Sequence, residues 1–296
     1  MAKTAKVKAG TALRDVDAPF FRYWQALYLS FFSGRLYVDV AKRWQGLGIG
    51  YLLLLICITT FPLSARLAYD FNSFYEAQII APLKEIPKLY VQNGKVSLDK
   101  PMPYRIKNKE GKVVLIIDTT GEVTMIDKTN PNLTMLITRD QFLYRLPVPQ
   151  FYTNNYSAAE TGDVFAEPFD KGMNQIFDGN EWVQSVGIER VKWASDFLFF
   201  PTVAATFFTL YLCFFLIFTF MAQLGAKLFI KKSLTYKQAC RLFIVSATPA
   251  VTLSFVSLAT TIGGAFVGPI LLILMILCFS YAVYVVKQEG NQLVRS

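Results

Sequence analysis

Histidine is absent from the 296 residues. The commonest metal ligand and the commonest neutral-pH general base are therefore both missing. Charge is scarce as well. Asp, Glu, Lys and Arg make up 17% of the chain, against 53% apolar residues and a mean hydropathy of +0.36. Soluble domains carry about one charged residue in four, so an ordinary cytosolic enzyme is disfavoured. Cysteine is limited to four. Cys57, Cys213 and Cys278 lie inside apolar runs and Cys240 at the edge of one, while residues 66–196 have none. That polar middle is expected to hold neither a disulfide nor a zinc site, and no cofactor is expected. Phosphate-cradling G-x-x-x-x-G-K-[ST] and nucleophile-elbow G-x-S-x-G patterns are also missing. Asp118-Thr-Thr-Gly121 has one residue too many for an aspartic-protease motif and lacks a second carboxylate in matching context. Asp118 is read instead as the cap of a turn, and the chain as a non-enzyme.

The net charge of +9 invites a nucleic-acid reading, but its distribution argues against one. Residues 1–46 and 223–241 each carry +5, whereas residues 67–191 carry −3. A basic face on a folded domain is what phosphate backbones require. Here the excess sits beside apolar runs, where membrane topology accounts for it. No nucleic-acid partner is expected.

Four uncharged apolar stretches stand out, at residues 47–65, 197–222, 242–260 and 266–286. Each approaches the roughly 20 residues needed to cross a bilayer core. Lys227, Lys231, Lys232, Lys237 and Arg241 place the 223–241 loop in the cytoplasm by the positive-inside rule. Four spans then put the 1–46 arm and the 287–296 tail in the cytoplasm, and residues 66–196 in the periplasm or outside the cell. The first span begins too deep in the chain to be a cleaved leader and reads as a signal-anchor. The fold class expected is an integral membrane protein: a four-helix transmembrane bundle with an inserted extracytoplasmic α+β domain, located in a bacterial inner membrane.

In the arm, Phe20, Trp24, Leu27 and Phe31 recur at helical spacing, with Arg35 among the basic residues. They predict an amphipathic helix, or a pair of helices, at the membrane interface. Packing on the bundle's end is compatible with that placement. In the exported domain the pattern predicts a helix over 67–89 broken by Pro82 and Pro87. Strands follow at 95–98, 103–107, 113–118, 123–126 and 134–136, with hairpin turns at 108–111 and 119–121. Residues 144–164 read as irregular and 173–192 as helical. Pro249 frees a carbonyl within the third span, so a kink is expected there, with Ser246 and Thr248 nearby to satisfy it. Gly264 and Gly268 have the small-xxx-small spacing of close helix contacts, or mark a plain loop-to-helix transition. Ser246, Thr248, Thr252, Ser254 and Ser257 form either a polar seam or helix–helix glue. No span interior holds an ionisable group, which disfavours proton coupling.

Several strings occur together in a set order: Ser30-Phe-Phe-Ser-Gly-Arg-Leu-Tyr-Val, Tyr51-Leu-Leu-Leu-Leu, Val91-Gln-Asn-Gly-Lys-Val, Pro103-Tyr104, Ile116-Ile-Asp-Thr-Thr-Gly121, and Leu234-Thr-Tyr-Lys-Gln-Ala with Ser246-Ala-Thr-Pro249. Together they resemble a bacterial family of unknown function whose Gram-positive members are labelled maltodextrin-utilisation membrane proteins. The last segment is also similar to the Yip-like membrane-protein superfamily. The resemblance implies four spans with a large first exported domain, and no chemistry. The function expected is that of a non-enzymatic scaffold, adaptor or sensor whose exported domain binds an envelope partner, peptide or lipid. The alternative is an accessory subunit of a transporter. Expected partners are membrane lipid and another envelope or membrane protein, with a homo-oligomer also possible.

Overall fold

A computed structural model describes residues 18–127, 129–145, 163–185, 187–260 and 266–295. In chain order it runs α1 (Tyr23–Leu29), α2 (Gly34–Lys42), α3 (Ile49–Tyr75), a π-helical turn (Glu76–Ile80) and α4 (Ala81–Lys84). Eight strands follow: β1 (Leu89–Gln92), β2 (Lys95–Ser97), β3 (Tyr104–Lys107), β4 (Val113–Ile117), β5 (Met135–Ile137), β6 (Gln141–Arg145), β7 (Val164–Pro168) and β8 (Gln175–Phe177). The chain closes with α5 (Gly179–Ser185), α6 (Ile188–Phe229), α7 (Tyr236–Ser246), α8 (Thr248–Thr260) and α9 (Val267–Arg295). It divides into a helical unit, residues 1–63 with 202–296, and a sheet unit, residues 64–201. Helices α3 and α6 contribute to both.

Among the described residues three helices are long and apolar enough to cross a membrane, within Ile49–Lys84, Lys192–Phe229 and Val267–Asn291. The bent pair α7–α8 makes a fourth if it counts as one span. The helical unit is organised around α7. Every residue from Ala239 to Ser246 is buried, so beyond its first turn this helix is enclosed on all sides. Thr235 caps it: its Oγ1 accepts from Gln238 N at 3.3 Å, while Gln238 Oε1 takes Thr235 N–H at 3.1 Å. Helix α2 packs its Leu36, Tyr37, Val40 and Ala41 face inward, against α7 and α9. Phe243 of α7 meets Phe215 of α6 and Phe279 of α9, with ring centroids 5.1 and 5.3 Å apart. Tyr51 Oη lies 2.7 Å from Thr248 Oγ1, and Tyr211 Oη lies 2.8 Å from Ser254 Oγ.

Two sheets build the other unit. One is three-stranded and antiparallel, in the order β2-β1-β8. The second has five strands in the order β3-β4-β5-β6-β7, antiparallel except for the parallel pair β4–β5. Strand β4 is buried on both faces. Leu115 and Ile117 join Leu89, Val91, Val96 and Ile137 in the main core, and Ile116 joins Leu136, Leu143 and Ile126 behind. Asn108 builds the β3–β4 hairpin, its Oδ1 accepting from Glu110 N and Lys112 N at 3.0 and 2.9 Å. The 119–121 segment is not a hairpin turn, because the strands on either side of that connection run parallel. Residues 123–126 form no strand, since Val123 N–H is committed to the Asp118 carboxylate at 2.5 Å. Four strands were not foreseen, β1, β6, β7 and β8; β8 stands where a helix was expected to have begun. The predicted irregular stretch lies mostly outside the described residues. Pro82 does not stop the helix. It lacks an N–H and would crowd the carbonyl four residues back, and the wider π turn just ahead of it absorbs that change. Within this unit the ends of α3 and α6 run side by side, joined by Asn72 Nδ2 to Asp196 Oδ1 at 2.6 Å, by Lys192 to Glu76 at 3.7 Å and by Phe71 against Phe199.

Candidate functional site

The sheet unit contains an apolar pocket of about 290 Å³ between its two sheets. Leu83, Ile137, Phe142, Phe169, Met173 and Trp182 line it, together with the exposed Glu167 and Asp170. Its walls come from segments far apart in sequence. The turn after β7 is fixed by Phe169 N–H to Asp140 O at 2.9 Å and Gly172 N–H to Asp170 Oδ1 at 3.1 Å. It is tied to the β1–β2 hairpin through Asn93 N–H to Asn174 Oδ1 at 2.9 Å. Gly94 permits this approach. Its φ is +71°, and a Cβ there would stand 2.7 Å from Asp170 O. Asp178 starts α5, its Oδ1 accepting from Asn180 N at 2.9 Å, and the helix sets Trp182 against Phe177 with ring centroids 5.8 Å apart. Glu167 accepts from Tyr144 Oη at 3.2 Å. Loss of hydration and the adjacent Glu167 carboxylate hold the Tyr144 hydroxyl above its usual pKa. A recess of this kind can take up an apolar group. The sequence reading missed it, although Phe169 and Met173 flanking Asp-Lys-Gly were an available turn signal.

Asp118 is a turn cap. Its carboxylate accepts Thr120 N–H at 2.8 Å, Thr120 Oγ1 at 2.6 Å and Val123 N–H at 2.5 Å. Burial pushes its pKa up, but these hydrogen bonds outweigh that and leave it below the ordinary carboxylate value. Among the described residues no three of Cys, Asp and Glu form a group that could hold a metal.

In the helical unit the arm consists of two short helices joined by a turn. Phe20, Trp24 and Phe31 are exposed, as is Arg35, while Leu27 is half-buried. The arm is pinned at its start. The buried Asp39 carboxylate of α2 accepts Phe20 and Phe21 N–H at 3.0 Å and lies 3.5 Å from Arg43. Arg35 lines an open cleft with Lys42 and Glu289, which pair at 3.2 Å. Pro249 is the second residue of α8, and α7 and α8 are bent by 43° about Ala247. The carbonyl left free by proline, Val245 O, accepts from Thr248 Oγ1 at 2.8 Å. Gly268 is exposed, and a Cβ on it would meet nothing within 4 Å, so it makes no close helix contact. Gly264 lies outside the described residues.

Arg241 departs most from its expected place. Counted with the loop cations, it is in fact buried in α7, and its guanidinium donates to Trp44 O and, at 2.5 Å, to Ala41 O. It thus closes the carbonyl end of α2, where the helix dipole favours a cation. Its place just ahead of Leu242-Phe-Ile-Val, inside a Thr-capped helix, was the available signal.

The chain belongs to the family described as Protein of unknown function (DUF1189), which matches residues 24–286. It is also similar to the uncharacterised protein RP489 of Rickettsia prowazekii (strain Madrid E), at 23% identity over 210 residues, covering 67% of each chain. No solved structure matches it.

Proposed function

We propose that this is a non-enzymatic protein of a bacterial inner membrane whose sheet unit binds an envelope partner, a peptide or lipid, as scaffold, adaptor or sensor. The termini face the cytoplasm and residues 66–196 face outward, with the exposed aromatics of the arm at the lipid interface. The observation that carries the reading is the apolar pocket lined by Phe169, Met173 and Trp182, with Glu167 and Asp170 also in its lining. The apolar helices and their basic flanks support the membrane placement. For the alternative, an accessory transporter subunit, the α8 hydroxyls would need to line a path. Thr248 and Ser254 are instead bonded to Val245 O and Val251 O and to tyrosines, which favours their role as helix glue.

A photo-crosslinking residue at Met173 of the full-length protein in native membranes tests the pocket. The expected outcome is one discrete adduct, absent when the same group replaces the exposed Met125 of the same unit. Equal labelling from both positions would overturn the reading.

A further inference from the structure

The helical unit has a groove of its own. Between the C-terminal half of α6 and the middle of α9 the two helices leave an apolar slot of about 480 Å³, floored by Phe243 of α7. Phe214 and Phe218 line one side, and Ile276 and Phe279 the other. Gly225 opens it, since a Cβ built there meets nothing within 4 Å. Towards the end of α6 the slot reaches Phe229 and Ile230, and there the chemistry changes. Lys287 Nζ donates to Ile230 O at 2.8 Å. Lys232 Nζ stands 3.5 Å from where a Cβ of Gly290 would be. Lys227 and Lys231 are exposed close by in sequence, and residues 223–241 contain no acid. Glu289, the carboxylate on the facing end of α9, is engaged by Lys42 at 3.2 Å.

We propose that this groove holds one acyl chain of an anionic phospholipid, with the headgroup phosphate on the lysines at its mouth. The inference rests on the membrane reading and is independent of the pocket in the sheet unit. Two arguments select the occupant. A helix about 10 Å across takes up roughly 120 Å³ per residue of rise, so the slot would hold about one turn of a partner helix, whereas it suits a single flexible chain. Apolar contact alone gains little in a bilayer, because lipid tails are as apolar as leucine. Selection must come from the cationic rim, and clustered lysines at the edge of a membrane helix attract anionic headgroups.

The test uses the full-length protein, reconstituted in bilayers of phosphatidylethanolamine and phosphatidylglycerol in equal parts, then extracted in mild detergent for native mass spectrometry. The wild type should retain one phospholipid, enriched in phosphatidylglycerol. Gly225→Phe directs a ring into the slot from a position where a Cβ meets nothing within 4 Å, and should insert but retain no lipid. Ala222→Leu serves as a second filling variant if the first does not insert. Lys231→Gln with Lys232→Gln should still retain a lipid but lose the phosphatidylglycerol preference, by roughly fivefold for each lysine. Equal retention by the wild type and the filled variants, or crosslinks between two copies from position 225, would overturn the inference. Release of the wild type from membranes by alkaline wash would instead overturn the membrane reading beneath it.

Discussion

The two units face their surroundings with opposite chemistry. On the sheet unit, outside its α3 and α6 segments, exposed apolar residues such as Met125 and Ile176 are scattered, and Asp118, Asp170 and Asp178 each cap their own backbone. On α6 of the helical unit Ile217, Phe220, Met221, Leu224 and Leu228 are all exposed over three turns. Asp39, Arg241 and Thr248 of that unit are buried and end on backbone groups. One chain therefore holds a unit arranged for water and a unit whose outside would be unstable in water. The contrast is in what counts as outside, and exposure alone does not report it.

Breaking the inward polar network should have the largest effect. Arg241→Ala leaves the Ala41 and Trp44 carbonyls without their buried donor. It should cost about 4 kcal/mol of stability in detergent, read as an early loss of amide protection in α2 and α7. Unchanged protection would mean that α2 does not depend on this cap.

The comparison of surfaces has a sharper test at matched positions. Ile217 and Ile176 are 65% and 63% exposed. Ile217→Asp should cost about 3 kcal/mol of membrane insertion, whereas Ile176→Asp should change stability by about 0.5 kcal/mol or less. Similar costs at the two sites would mean that both face one solvent.

An effect smaller than those at Arg241 and Ile217 concerns the sheet unit's own caps. Asp118→Ala should cost about 2 kcal/mol, from the loss of charge-assisted bonds to Thr120 and Val123. Because the folded pKa of Asp118 is depressed, its contribution is complete above the ordinary carboxylate range. It fades as pH falls below that range and through the folded pKa. Acid unfolding of the wild type followed against Asp118→Ala should show the two curves converging at low pH. Curves that stay parallel would remove Asp118 from the account.

The legibility of the sequence divides along the same line. Apolar runs report helices well, because a long uncharged stretch has few alternatives, and α3, α6 and α9 lie where those runs are. The exact helix reach was not visible. Charged residues at both ends of α6 belong to the helix, and Arg241 continues α7 because its charge is taken up by carbonyls from residues nearly 200 positions earlier. In the sheet unit β2, β3, β4 and β5 were near their expected places, but β7 lies at a sheet edge with every residue exposed. An edge strand without a buried face leaves no alternating pattern to read. Strand β8 has three residues and pairs with β1 across the whole unit, so nothing local announces it. The 123–126 segment shows the converse: β-branched residues favour a strand, yet one carboxylate claims the amide that a ladder would need. The pocket was hidden for the same reason as β8, since its walls meet only after both sheets have formed.

The π turn at Glu76–Ile80 acts as a phase shifter. An α-helix advances about 100° per residue, and one wide turn adds a residue without adding a hydrogen bond. The helix therefore carries two different azimuths. Before the turn its aromatic face, Phe71, is aligned with Phe199. After it, Ile80 and Leu83 enter the sheet core. Removing one residue from this turn would restore a uniform winding and rotate Ile80 and Leu83 by about a quarter of a revolution, so the two halves of the helix could no longer satisfy both neighbours at once.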